Sequence, residues 1–593
     1  MGRFAVYAAF AIGLSCEAAV SEDARIISET KLPSTEQIRK NGQNLAAQQL
    51  AARQKLLSRS PAGHLEVRPS AEGITNANCV TITLIDLRGV TLLSEEERIE
   101  ILKPYVQQCI GLKSIDELMR DVTRVYFSKG YLAARVYLPP QRIEDGQLDL
   151  QIEEGVVEAL TFNGDFERKQ GTLQALFPDH IGKPVNLRTV EQGIEFINRL
   201  PSSRAAIELV AGTKPGHTII NLKDAPERPV RFSMSTDNEG TKSSGVIGTK
   251  YNATFDSPFG RYDQLQISYG FTGAQAFKFN QKPERSESLS LSYSIPYGKT
   301  LYRFSASRFT YDNWIIPDPG TPYGTSGETK SFNLGAERTI FRDQTKVIKL
   351  NAGLSKSISD SFLITFGVRV PIEVQSRSQS GLSLGVNYNK RFEKGQFSSG
   401  LTYKRAIFLP GITDAAHISF GEYQARYQLL QANIGYSRLI SLGRRNLLYS
   451  LSFVGQKSDD NLISAQGFAI GGKYSVRGTR ESYAAGPTGY YIQNSFLLPF
   501  NQFDFARDSK LFSGMMASFG LDYGRIEPSY EYAVAEAHGL SVGLQSSWEN
   551  LSFELSAERM IGGFDREAIA QQLGITCEEL HETKWYLTLE AKL

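Results

Sequence analysis

The run Trp585-Tyr586-Leu587-Thr588-Leu589-Glu590-Ala591-Lys592-Leu593 alternates without a break. Trp585, Leu587, Leu589, Ala591 and Leu593 fall on one face; Tyr586, Thr588, Glu590 and Lys592 fall on the other. A period of two is the pattern of a strand with one apolar and one polar side. Such a strand needs a partner on each edge, because an open edge is a template for aggregation. The pattern recurs upstream. Leu265, Ile267, Tyr269 and Phe271 interleave with Gln264, Gln266, Ser268 and Gly270, and Leu289, Leu291, Tyr293 and Ile295 with four serines. The segments 447–454, 540–548 and 551–558 repeat it. A closed barrel with lipid outside and water inside satisfies every edge at once.

A soluble sandwich would give the same periodicity, with the apolar faces meeting inside. The turns favour the membrane barrel. Short connections such as Pro258-Phe259-Gly260 and Glu393-Lys394-Gly395 alternate with long polar loops, read here as 272–285 and 311–327. That asymmetry marks short periplasmic turns and long extracellular loops. Composition agrees: 593 residues, with 52 Gly, 27 Tyr and 33 Phe, a formal net charge of +2 and a negative mean hydropathy. After the N-terminus no run approaches the ~20 apolar residues of a spanning helix. Near-neutral charge points away from nucleic acid.

Residues 1–21 read as an export signal: Arg3, an apolar stretch from Phe4 to Leu14, then Ala18 and Ala19. Leu14-Ser15-Cys16 suggests a lipoprotein site, but the spacing is one residue short and Ser precedes the Cys. The mature chain thus enters an oxidising compartment. There Cys79 and Cys109 are expected to pair, with two buried thiols as the alternative. Closing that loop would stabilise its domain by roughly 3–4 kcal/mol in the chain-entropy model. Cys577 is left without an assigned role.

Ser34 and Gln37 form a capping box after Pro33 and open a helix over 34–57. Its Gln- and Ala-rich composition leaves little apolar face, which suits a wet channel. A linker over 58–77 follows, with Pro61, Gly63 and Pro69. Two β-α-α-β-β units come next, over 78–155 and 156–225. The first reads as strand 80–86, helices 94–107 and 114–128, and strands 131–138 and 147–153. The second reads as strand 157–163, helices 171–177 and 187–200, and strands 205–210 and 217–222. Leu118, Val122, Val125 and Tyr126 give the second helix an apolar face at 3,4 spacing. Each unit leaves a sheet edge that could accept a strand from a client.

Gly130-Tyr131, Leu138-Pro139, Gln141, Gly146, Leu148 and Glu154-Gly155 resemble the end of the first POTRA domain of two-partner secretion transporters, the TpsB family. Cys79 and Cys109 fall where many members carry a disulfide. Gly471-Gly472-Lys473-Tyr474-Ser475-Val476-Arg477-Gly478 resembles the Val-Arg-Gly motif of the family's sixth extracellular loop. Phe519-Gly520-Leu521-Asp522-Tyr523-Gly524 resembles its thirteenth-strand motif. The loop motif is shared with larger barrel-assembly relatives, and the two-POTRA layout is what makes the match specific. Two departures stand out: Thr479 replaces the aromatic usual after Val-Arg-Gly, and Leu593 replaces a terminal Phe.

The resemblance implies a mainly β protein: a sixteen-stranded antiparallel barrel over 230–593, two periplasmic α+β POTRA domains and a plug helix. It implies an outer-membrane transporter of an unfolded haemolysin- or adhesin-like exoprotein, with an assembly factor of the same superfamily as the alternative. Its partners would be that exoprotein in extended form, outer-membrane lipid and, during biogenesis, the barrel-insertion machinery. No cofactor, metal or nucleic acid is expected, and the chain is expected to be a monomer.

In the family the matching Arg and Asp interact, which here means Arg477 and Asp522. The residues give their own reason. If Met515, Ala517, Phe519, Leu521 and Tyr523 face lipid, then Gly514, Ser518, Gly520, Asp522 and Gly524 face the lumen. A carboxylate flanked by glycines leaves room for an arginine fork. Other motifs fail on context. Gly298-Lys299-Thr300 mimics the end of a phosphate loop but follows a strand and opens no helix. Gly381-Leu382-Ser383-Leu384-Gly385 lies inside an alternating segment rather than at a strand-to-helix elbow. The six histidines are scattered, so no catalytic or metal constellation is expected and the chain reads as no enzyme.

Overall fold

The computed structural model describes residues 79–592 except 144, 179, 241–244, 274–284, 316–322, 366–367, 372–376, 408–425, 463–465, 481–483, 508, 510–511, 528–533, 549 and 564–581. The export signal, the helix over 34–57, the linker and Cys577 lie outside the described residues.

The first unit contains β1 (Val80–Ile82), β2 (Leu84–Arg88), α1 (Glu95–Leu102), β3 (Gln108–Ile110), α2 (Leu112–Ser128), β4 (Arg135–Tyr137) and β5 (Gln147–Glu153). Its sheet runs β2-β5-β4, with β2 and β5 parallel and β4 antiparallel. Ser94 and Glu97 close a capping box on α1. Ile115, Leu118, Val122 and Tyr126 of α2 lie buried in one core with Leu148, Leu150 and Ile152.

Two expected elements are corrected. The helix read to residue 107 stops at Leu102, ahead of Pro104, which has no N–H to continue it. The freed chain becomes β3, which pairs with β1 and splits the strand read as 80–86. That pairing brings Cys109 opposite Thr81, and Cys79 and Cys109 are bonded with their Cα atoms 5.3 Å apart.

The second unit contains β6 (Val156–Phe162), α3 (Gln170–Leu176), α4 (Leu187–Asn198), β7 (Ala206–Ala211) and β8 (His217–Lys223). Its sheet runs β6-β8-β7, with β6 and β8 parallel. The units are clamped together at α4. The Asn186 side chain caps that helix through Arg188 N (2.9 Å) and donates to Lys129 O of the first unit (3.3 Å). Leu187 N donates to Gly130 O at 2.8 Å.

The barrel strands are β9 (Val230–Asp237), β10 (Gly248–Asp256), β11 (Gln264–Thr272), β12 (Arg285–Tyr297), β13 (Thr300–Ile315), β14 (Tyr323–Arg342) and β15 (Lys346–Thr365). The short β16 (Val368–Pro371) precedes β17 (Arg377–Phe392), β18 (Gly395–Ile407), β19 (Gln428–Leu442) and β20 (Arg445–Lys457). A long loop with its own β21 (Phe468–Ile470) and β22 (Ala484–Gly486) leads to β23 (Gly489–Pro499), β24 (Met515–Ile526), β25 (Ala535–Ser547), β26 (Leu551–Gly563) and β27 (Lys584–Lys592). Every neighbouring pair is antiparallel, and β27 returns to β9. With β16 counted as the rim extension of the β15–β17 hairpin, sixteen strands close the cylinder.

Segment 311–327, read as loop, is largely strand: β13 runs to Ile315 and β14 begins at Tyr323. Tyr311, Trp314 and Ile315 favour extended backbone, and β13 runs past its neighbour β12, whose pairing ends at Asp312. Gly298-Lys299 is the tight turn between β12 and β13, and Gly381 to Gly385 lie within β17.

The second POTRA unit is built onto the barrel's periplasmic mouth. Tyr262, in the turn after β10, and Leu301 of β13 belong to that unit's own apolar core. Arg199 donates to Tyr262 O (2.8 Å) and Ser294 Oγ (2.5 Å), and Ser202 N donates to Asp256 (3.1 Å). Glu195 of α4 pairs with Arg342 and with Lys349 (3.4 Å). Burial alone would raise the Glu195 carboxyl; Lys349 and Arg342 outweigh it and hold it below its ordinary value.

Candidate gating site in the barrel lumen

The loop between β20 and β23 folds back into the barrel. β21 and β22 pair as a small ribbon, and Phe468, Ile470, Val476 and Ala484 pack with Ile526, Ala535, Ala537 and Met560 of the wall. This apolar footing delivers the chain 471–480 to the lumen side of β24–β27. Val476 is buried over Gly524, and Arg477 beside it reaches the same wall.

Arg477 meets Asp522 through a two-pronged fork: Nε to Oδ2 at 2.6 Å and Nη2 to Oδ1 at 2.5 Å. The Arg477 backbone N also donates to Oδ2 at 3.0 Å, and Nη2 reaches Asn494 O (3.1 Å) and Ser495 Oγ (3.2 Å). The Asp522 side chain is wholly buried, while Arg477 keeps 14% exposure. A buried, bidentate, charge-assisted pair is directional as well as strong.

The wall is cut to receive it. A Cβ on Gly520 would stand 2.4 Å from Arg477 Nη2. Gly478 turns at φ +120°, and a Cβ there would stand 2.3 Å from Met560 N, so no side chain fits between loop and wall. Gly524 lies under Val476 in the same way. Phe519 and Leu521 point outward, as the alternation required. Gly471 and Gly472 both take positive φ at the head of the loop.

Thr479, the departure from the aromatic, has a structural job of its own. Its hydroxyl accepts from Gly472 N at 3.0 Å, closing the loop tip on itself, and its carbonyl accepts from Tyr586 OH at 3.3 Å.

The sequence reading picked out one ion pair, and the loop makes three groups of polar contacts. Lys473 bridges Glu239 (2.6 Å) and Glu554 (3.0 Å), and Tyr474 OH donates to Glu239 at 2.9 Å. Arg480 donates to Asn238 O (2.5 Å) and Gly240 O (3.2 Å) and lies over the Tyr586 ring. Lys473 and Tyr474 were inside the quoted motif, yet nothing in the chain pattern links them to Glu239, 234 and 235 positions away.

A closed lipid-facing barrel carrying two periplasmic POTRA domains and a lumenal loop defines a class: an outer-membrane transporter of the POTRA superfamily. Residues 216–546 match the haemolysin secretion/activation protein family ShlB/FhaC/HecB. Residues 80–155 match a ShlB-type POTRA domain and 156–211 a POTRA domain. The outer membrane transporter CdiB of Dickeya dadantii (strain 3937) is 31% identical over 424 residues, 72% of this chain and 73% of that protein. The hemolysin transporter protein ShlB of Serratia marcescens is 27% identical over 497 residues, 84% of this chain and 85% of that protein. The solved structure of CdiB from Escherichia coli matches with a TM-score of 0.82 at 24% identity, covering 95% of this chain and all of that one. The chain belongs to the ShlB/FhaC/HecB family of two-partner secretion transporters. It resides in the outer membrane with its POTRA domains in the periplasm, and members of the family are transporters, not enzymes.

Proposed function

We propose that this transporter captures an unfolded exoprotein on its POTRA domains and passes it as an extended chain through the barrel lumen to the cell surface. The client adds a strand to a free POTRA edge, where backbone hydrogen bonds give affinity and side-chain contacts give selectivity. The edge strand β7 supports this reading: among the described residues it pairs only with β8, and Leu209 and Val210 are exposed along it. Clamping of the same unit to the barrel mouth favours transfer straight into the lumen.

The observation that carries the proposal is the Arg477–Asp522 fork, which fastens the returning loop to the lumenal wall at β24. We infer a plug role for residues 34–57, which lie outside the described residues: they would occupy the lumen at rest and leave as the client engages. No nucleotide motif is present in the sequence, so direction comes from folding of the client outside, which prevents return. A haemolysin-like cargo follows from the name of the Serratia marcescens relative, and an adhesin-like one from the family resemblance. The closed barrel has no edge that a second subunit must cover, so one chain suffices.

Arg477→Ala should abolish secretion while the barrel still inserts and keeps its heat-modifiable gel mobility. Secretion by that variant at the parent level would refute the gating role.

A further inference from the structure

The loop that carries Arg477 also touches the barrel where its first and last strands meet. The β9–β27 ladder has five residue pairs, from Asp237↔Thr588 to Ser233↔Lys592. Its neighbours, β26–β27 and β9–β10, have eight each. Beyond Asp237 the junction is continued, among the described residues, by Asn238 alone: its N donates to Leu587 O (3.3 Å), and its side chain accepts from Leu587 N (2.8 Å) and donates from Nδ2 to Trp585 O (3.0 Å). The extracellular half of this closure thus depends on residues 238–240 being held in place.

What holds them is the loop. Glu239 accepts from Lys473 Nζ (2.6 Å) and Tyr474 OH (2.9 Å) on one side and from Thr588 Oγ1 of β27 (2.9 Å) on the other. Arg480 grips the carbonyls of Asn238 and Gly240 and stacks on Tyr586 of β27. Glu239 and Lys473 are both largely buried, at 15% and 17% side-chain exposure. A buried pair stripped of one partner leaves an uncompensated charge, so loop and junction stabilise each other.

We propose that Glu239 is a clasp: it joins the lumenal loop to the β9–β27 junction, so that withdrawing the loop loosens this ladder. A cylinder that loosens along a single ladder can widen without disturbing its remaining hydrogen bonds. The clasp is a property of the transporter alone and does not depend on how the client is recognised.

Hydrogen exchange of the purified full-length protein in lipid nanodiscs tests it. Glu239→Ala and Arg477→Ala should each speed exchange of the β9 and β27 amides at least tenfold while β12 to β15 keep parent rates. Thr588→Val, which removes only the strand-side contact and keeps the β-branched shape, should give a smaller acceleration in the same two strands. Unchanged β9 and β27 rates in Glu239→Ala would overturn the proposal. So would acceleration spread evenly around the barrel, because that reports general destabilisation.

Discussion

Arg477 and Asp522 stand 45 positions apart in the chain and meet through three hydrogen bonds, two from the guanidinium and one from the backbone. The backbone bond matters as much as the fork. It fixes the loop's path as well as the side chain, so the carboxylate reads the position of residue 477 and its charge together.

Gly520→Ala should therefore imitate loss of the arginine without altering any charge. The new methyl would collide with Nη2, and the guanidinium would have to leave the carboxylate. A broken buried pair costs about 3–5 kcal/mol, so secretion should fall to the level of Arg477→Ala while the barrel remains inserted. Parent-level secretion by Gly520→Ala would show that the loop does not need this seat.

Arg477→Lys is expected to fail as well. Lysine brings the charge but a single donor point in place of the fork, and it cannot reach Asp522, Asn494 and Ser495 at once. An exoprotein secretion assay comparing Lys and Ala at this position measures how much of the seat is geometry. Full rescue by lysine would make it charge alone.

Much of this site was legible from residue order. Asp522 sits on the polar side of a strand whose apolar side is Phe519 and Leu521, with glycines at 520 and 524 leaving space; a counter-charge had to come from elsewhere. Arg477, next to Gly478, was the candidate that the family resemblance paired with this aspartate. Glu239 and Asn238 were not legible, because their partners lie more than 230 residues away and closure brings them together. In the first POTRA unit, β3 is three residues long, too short for alternation to reveal, and its role as the partner of β1 shows only in the register. The strand extension into 311–327 was hidden by the run of Gly, Ser, Thr, Asp and Asn on either side of it, which reads as loop.

The junction of the second POTRA unit with the barrel should be insensitive to pH across the neutral range and fail in acid. Glu195 is depressed below its ordinary value of 4.5, so its contribution is complete above that value and fades as pH falls through the lowered one. Limited proteolysis of the periplasmic segment from pH 7 to pH 3 should show full protection down to the ordinary carboxylate value of 4.5 and its progressive loss below that. Glu195→Gln should lose part of that protection already at pH 7, with a flatter profile. An acid profile unchanged by the substitution would remove Glu195 from the junction's energetics.

Cys79→Ser with Cys109→Ser should destabilise the first POTRA domain by about 3–4 kcal/mol, the chain-entropy value for a loop of this length. Thermal unfolding followed on that domain should drop correspondingly, and the drop should be matched in the parent by reductant. The barrel transition should not move.

Residues 34–57 bear on the resting state. If this polar helix fills the lumen beside the loop, its deletion should raise single-channel conductance in a planar bilayer several-fold, because an open barrel of this size conducts freely. Combining the deletion with Arg477→Ala should raise it further, since helix and loop then block in parallel. Conductance unchanged by the deletion would place the helix elsewhere.

The barrel itself answers to the alternation of β27. Trp585, Leu587 and Leu589 are 59%, 42% and 45% exposed on the outer surface, while Tyr586 is buried against the loop and Thr588 faces Glu239. Single cysteines placed along 585–592 should therefore divide by parity. In lipid, sites 585, 587 and 589 should resist a charged thiol reagent and react with an apolar one. Sites 588 and 590 should react with the charged reagent, and more readily once Arg477→Ala frees the loop. Reactivity without that division would contradict a wall that meets hydrocarbon on one side only, and with it the conduit on which the loop, the fork and the clasp all act.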